Sequence, residues 1–298
     1  MTQKKEAHSD LRGIALAAGA AVSFGTLAIS AKFAYEAGAD PLPLLAARFV
    51  LATLLLAGIR AARRRGTRTS RRDVGRLMLL GAFGYAFEST LFFAALENAP
   101  AGVVGLVFYS YPMWTALLGF ATRLEAFRPQ LVLALLLGSS GVALVFSLPE
   151  TGLKGPALAL GAALAVALYL IAIQVWAKGV EATSSALWTS AGAAGSLLVV
   201  ATFSGQSLPA KALGPAAALG LASAVAFVLL YAAIERLGSS RAAVATMLEP
   251  VATVILAAIL LNESISLRIG LGAALVVAAL PVLALTGRKS KVDAPPLA

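Results

Sequence analysis

Ten stretches of about twenty apolar residues follow one another along the chain, at approximately 12–35, 41–60, 75–96, 101–121, 129–147, 155–177, 184–204, 213–234, 242–261 and 268–286. A helix of about 20 such residues crosses the hydrocarbon layer of a bilayer. Of the 298 residues 59% are apolar and 13% charged, with mean hydropathy +0.87. A soluble domain carries about 25% charge, and this chain has too little polar surface to cover one core in water. The pattern predicts an all-α membrane protein with ten transmembrane helices. It excludes an ordinary cytosolic enzyme, a disordered chain and a disulfide-stapled secreted domain. The connections are short and rich in breakers, as at Asp40-Pro41, Ala99-Pro100, Pro149-Glu150 and Gly205-Gln206. The first stretch exceeds the roughly 7–15 residues of a signal-peptide core, so it reads as a retained helix.

The net charge of +10 is explained by topology better than by a nucleic-acid partner. With ten crossings and the N-terminus inside, 19 Lys and Arg residues fall on the cytoplasmic side and 4 outside (Lys32, Lys154, Lys211, Arg268), with Arg48 left within a helix. Positive charge collects in cytoplasmic loops, so both termini and the loop Ala61–Asp73 are expected in the cytoplasm.

The chain also repeats itself. The run Gly13–Ala21 matches Gly155–Ala163 at an offset of 142, and Glu97, Pro112 and Glu125 match Glu235, Pro250 and Glu263 at an offset of 138. Five helices in each half is an odd number, so the halves insert in opposite orientations. Inverted repeats of this kind are typical of secondary transporters, whose substrate sites lie near the midplane. The expected domains are 13–147, 155–286 and a cytoplasmic tail at 287–298. Small residues at fourth positions (Ala17, Ala21 and Gly25; Gly192 and Ser196) let helix backbones approach closely.

Charges inside a membrane usually face the bundle interior or a wet cavity. Glu88 lies about 20 Å into the third helix, Glu249 immediately precedes Pro250, and Arg48 lies about two turns inside the second helix. The bland alternative for each is an internal salt bridge or hydrogen bond that only orients helices. Tyr85, Glu88 and Phe92 share one helical face by their spacing. Tyr85, Tyr109, Tyr111 and Tyr169 lie deep, where a phenol needs a partner that lipid does not offer. Tyr35, Trp176 and Trp188 fit interfacial anchors, and Lys32 fits a snorkelling one. Pro112 and Pro250 should kink their helices, and kinks at symmetric positions suit a rocking motion.

Ten helices in two inverted five-helix repeats, Arg48 in the second helix, Pro112 and Pro250 in the fourth helix of each repeat, and Glu125 and Glu263 just after it resemble the drug/metabolite transporter superfamily in its EamA-type branch. The run Phe108-Tyr109-Ser110-Tyr111-Pro112 is similar to the YddG-type amino-acid exporters, in which an aromatic–x–aromatic–Pro sequence faces the cavity. The resemblance implies a carrier that exports small metabolites, amino acids with aromatic ones among them, across a bacterial inner membrane by alternating access. It also implies that Tyr109 and Tyr111 border the cavity. The expected substrate-binding residues are Tyr85, Glu88, Phe92, Tyr109, Tyr111, Tyr169 and Glu249, with no catalytic residue, metal or cofactor. The expected partners are a small-molecule substrate and the lipid bilayer, with no nucleic acid, and the carrier is expected to be a monomer. A carrier of another metabolite or a drug-like solute fits the same frame. An intramembrane enzyme fits poorly. His8 is the sole histidine and lies in a polar tail, the four Asp residues lie in loops or tails, and cysteine is absent, so triad, aspartyl-pair and zinc chemistries lack their residues. A channel would want a ring of carbonyls or charges, which two unequal halves do not supply.

Overall fold

A computed structural model of the chain describes residues 2–63, 69–99, 101–146, 152–261 and 265–285. Among them all regular structure is helical: α1 (Thr2–Glu36), α2 (Pro41–Ala62), α3 (Arg71–Leu79), a π-helical segment (Leu80–Tyr85), α4 (Ala86–Asn98), α5 (Ala101–Phe108), α6 (Tyr111–Ala121), α7 (Pro129–Val145), α8 (Lys154–Trp176), α9 (Ala182–Phe203), α10 (Leu213–Leu237), α11 (Ser239–Thr246), α12 (Glu249–Leu261) and α13 (Leu267–Ala284). They form ten crossings. α3, the π segment and α4 make the third, α5 with α6 the fourth, and α11 with α12 the ninth. α1 begins well before the apolar stretch because no breaker separates it from the polar residues upstream. Glu263, the side chains of His8 and Glu97, part of the basic loop and the tail 287–298 lie outside the described residues.

The halves interleave with a pseudo-twofold relation. α1 packs on α10 as α8 packs on α4, and α1 packs on α12 as α8 packs on α6. α2 pairs with α9, and α7 with α13. Exchanging the halves leaves this pairing unchanged. With five crossings per half, the relating axis lies in the membrane plane, which makes the repeats inverted.

Contacts at the ends of the bundle show which loops share a side. Buried Asp10 pairs with buried Arg241 at 3.2 Å, and Arg241 donates to the Leu283 carbonyl at 3.5 Å, so both ends of the described chain meet at one face. Arg63 and Glu181 pair at that face at 3.5 Å. At the opposite face Asp40 exchanges hydrogen bonds with Ser207, and Arg268 donates to the Phe146 carbonyl at 2.7 Å.

The fourth and ninth crossings are broken rather than kinked. The breaks fall at Tyr109–Ser110 and Met247–Leu248, positions related by the same offset of 138. Each proline stands in the first turn of the following helix, where its missing N–H has no intrahelical carbonyl to lose. The third crossing bends through its π segment, where glycine allows a close crossing with α9. A Cβ on Gly81 would stand 1.9 Å from the Thr189 carbonyl oxygen, and one on Gly192 would stand 2.0 Å from that of Met78. Tyr35 and Trp176 are exposed as interfacial anchors should be, and so is Lys32. Trp188 departs from expectation. It packs against the core, and its indole nitrogen is enclosed with no hydrogen-bond partner among the described residues.

Candidate functional site

The centre of the bundle is organised around Arg48. Its Nε donates to Ser223 Oγ at 2.5 Å, and Nη2 donates to the Tyr85 hydroxyl at 3.3 Å. The guanidinium lies over the Phe49 ring at 5.0 Å and near the Tyr85 ring at 5.9 Å, a placement that adds cation–π attraction. Tyr85 and Ser223 occupy matching repeat positions, again 138 apart, so the two halves hold the arginine from either side. Among the described residues no carboxylate lies within ion-pair distance of it.

The two carboxylates stand near but apart. Glu88 is buried in the first turn of α4, one turn beyond Tyr85, and accepts from Ser89 Oγ at 3.1 Å. Glu249 opens α12 within electrostatic reach of Tyr109. At Glu249, which opens α12 after the break in the ninth crossing, a carboxylate is favoured by the partial positive charge of the helix end. Arg48 acts electrostatically on both carboxylates, and Glu88 acts on Glu249. Tyr85 and Glu249 lie deep in the bundle yet keep part of their surface accessible.

Two aromatic groups flank these charges. One joins Phe49, Tyr85, Tyr169, Phe227 and Tyr231, with Tyr85 in edge contact with Tyr169 at 5.7 Å and with Phe227 at 5.3 Å. The Tyr169 and Tyr231 hydroxyls bond each other, and Tyr231 also meets Thr189 Oγ1 at 3.0 Å. The other joins Phe92, Phe108, Tyr109, Tyr111 and Phe146. In a continuous helix Tyr109 and Tyr111 would point about 200° apart. The break between α5 and α6 turns both inward, with ring centroids 6.2 Å apart. Tyr111 bonds Thr246 Oγ1 at 2.7 Å.

The structure thus gathers Tyr85, Glu88, Tyr109, Tyr111, Tyr169 and Glu249 around the centre, with Phe92 at the edge against Phe108. The sequence reading left out Ser223, Thr246 and Tyr231. Tyr231 is as deep as the other tyrosines and answers to the same argument. Ser223 is signalled by its repeat offset from Tyr85. Nothing local marks Thr246.

The EamA-like transporter family matches the chain twice, over residues 11–147 and 153–285. No curated sequence matches it. A solved crystal structure superposes with a TM-score of 0.76 at 21% identity, covering 92% of this chain and 97% of the other, a likeness that speaks to the fold. With one copy of the family's domain in each half of a ten-helix bundle, the chain belongs to the EamA-like transporter family of the drug/metabolite transporter superfamily.

Proposed function

We propose that this membrane transporter carries zwitterionic metabolites, amino acids with aromatic ones among them, and exports them across a bacterial inner membrane by alternating access in the manner of the YddG-type exporters. The observation that carries this reading is the separation of charge at the centre. Among the described residues a guanidinium is held by the Ser223 and Tyr85 hydroxyls, with Glu88, held by Ser89, and Glu249 within its electrostatic reach. Buried charges kept apart are costly, and a substrate bearing both signs relieves the cost. Its carboxylate suits the fork of Arg48, its ammonium suits Glu88 and Glu249, and its side chain suits the Phe92–Phe108–Tyr111 wall. The N-termini of α6 and α12 open beside the break points, as half-helices do at transporter midplanes. Breaks at matching positions give the two halves equivalent hinges for opening each side in turn.

Reconstitution of the purified protein in liposomes tests this directly. Radiolabelled phenylalanine should exchange against an internal load of unlabelled amino acid, with and without a pH gradient. A cationic amine would leave Arg48 without its anion, so it should exchange poorly. Exchange of amines or other solutes with none of any amino acid would overturn the reading.

The aromatic wall should set preference rather than folding. Tyr109→Ala, which opens space beside Glu249, is expected to shift exchange toward bulkier amino acids by about tenfold, the scale on which pocket size discriminates, at near-normal protein yield. Unchanged relative rates for every substrate would remove Tyr109 from the cavity wall.

Orientation is open to a simple test because the chain has no cysteine. With both termini cytoplasmic, a single cysteine at Thr67 should react with a membrane-impermeant thiol reagent only after lysis. Labelling in intact cells would reverse the topology.

A further inference from the structure

A cavity of about 550 Å3 opens at the end of the bundle where both chain ends meet, between the last turns of α8 and α10 and the start of α9. Its volume is in the range of small-molecule sites, roughly 300–1,000 Å3. Gln174, Glu235 and Lys178 give its mouth polar character, and Ser185 and Tyr231 line it as well. The Ser185 hydroxyl is buried in the cavity wall with no hydrogen-bond partner among the described residues.

Tyr231 is the lining residue that connects this cavity to the central site. Its hydroxyl is tied to Tyr169 from α8 and to Thr189 from α9, so three helices are bridged by hydroxyl groups that satisfy one another. Immediately behind them stand Phe227, 5.8 Å from the Tyr231 ring, and Tyr85, 5.7 Å from the Tyr169 ring. Tyr85 accepts from Arg48 Nη2. One layer of rings therefore divides the cavity from the charged centre. That layer has little slack, since a Cβ on Gly84 would come within 3.0 Å of the Tyr169 ring.

The geometry points to Tyr169 and Tyr231 as a gate between an access vestibule at the terminus end and the Arg48–Glu88–Glu249 site, an inference that rests on reading that site as the substrate's. An aromatic layer closed by hydroxyl–hydroxyl bonds is suited to the task. When the rings swing apart, each hydroxyl exchanges its partner for water or for a polar end of the substrate, and the hydrogen-bond count is kept. A plug of aliphatic side chains would instead expose hydrocarbon on opening. The vestibule's mixed charges at Lys178 and Glu235 suit the same zwitterionic class of solute.

Thiol accessibility tests the gate without any substrate. Ala182→Cys places a reporter in the vestibule wall, and Ser223→Cys places one beyond the ring layer. In vesicles treated with a membrane-impermeant maleimide from the terminus side, the cysteine at 182 should label rapidly whatever residue stands at 231. The cysteine at 223 should label slowly when Tyr231 is present. Adding Tyr231→Phe, which keeps the ring and therefore the packing, should speed it several-fold. Tyr231→Ala should speed it by about tenfold, because labelling follows the open fraction. Protection at 182, fast labelling at 223 with Tyr231 intact, or equal rates at 223 with Tyr and Phe would overturn the gate. Because these rates need no transported solute, such a failure leaves the amino-acid reading standing. Failed amino-acid exchange with the expected labelling would remove the substrate class alone.

Discussion

Arg48→Ala is expected to lower kcat/KM for amino-acid exchange by about a hundredfold or more, because truncating one member of a buried hydrogen-bonded charge set costs roughly 2–5 kcal/mol. The guanidinium joins α2 to Ser223 of α10 and to Tyr85 of the π segment, and it offers the cation that a substrate carboxylate needs. Arg48→Lys separates these roles. It preserves the charge but presents a point donor in place of a planar fork, so it should recover part of the loss while leaving KM raised. Counterflow in liposomes with matched protein incorporation would measure both variants. Thermal unfolding in detergent supplies the control for a merely structural role. If Arg48→Ala unfolds at the parental temperature and exchanges amino acids at the parental rate, the guanidinium holds neither substrate nor helices.

Glu88→Gln should cut exchange by about tenfold and flatten its dependence on pH between about 5.5 and 8.5, because it removes a group that can bind a proton. The sign follows from competition at one group. A proton and the substrate's ammonium neutralise the same carboxylate, so exchange by the parent protein should fall as the medium becomes more acidic. The glutamine variant carries no charge at any pH and should stay near the parent's acid limit throughout. The groups that share this field are Arg48, Glu249 and Tyr85. Glu249→Gln is therefore the companion variant, and the pair together should abolish binding of the ammonium. A parental pH profile in Glu88→Gln would return Glu88 to helix packing with Ser89.

Much of the architecture can be read without coordinates, for a physical reason. In lipid every backbone polar group must be satisfied within its own segment, so an apolar stretch of sufficient length has essentially one structure available. The ten crossings follow from this, and the odd count per half inverts the repeats. The offset of 138 even locates the breaks, since Pro112 and Pro250 mark the matching points. Depth can be read as well, which is why the deep tyrosines and Glu88 fall near the centre. Direction within the bundle is harder. Tyr109 and Tyr111 look incompatible on a regular helix and become neighbours once the helix breaks between them. Trp188, near a helix end by count, faces the core.

The sequence alone determined a ten-helix inverted repeat, its symmetric interruptions and the stock of buried charges and phenols. Only the tertiary structure decided that Arg48 is held by Ser223, 175 residues away, with no carboxylate at ion-pair distance among the described residues, and that Tyr231 closes against Tyr169 at the floor of a cavity. Hydropathy reports how each helix meets lipid. The partners of a buried polar side chain depend on how two inverted halves interleave, which is set by small-residue crossings such as Gly81 against α9 and by a π-helical turn that no local pattern announces.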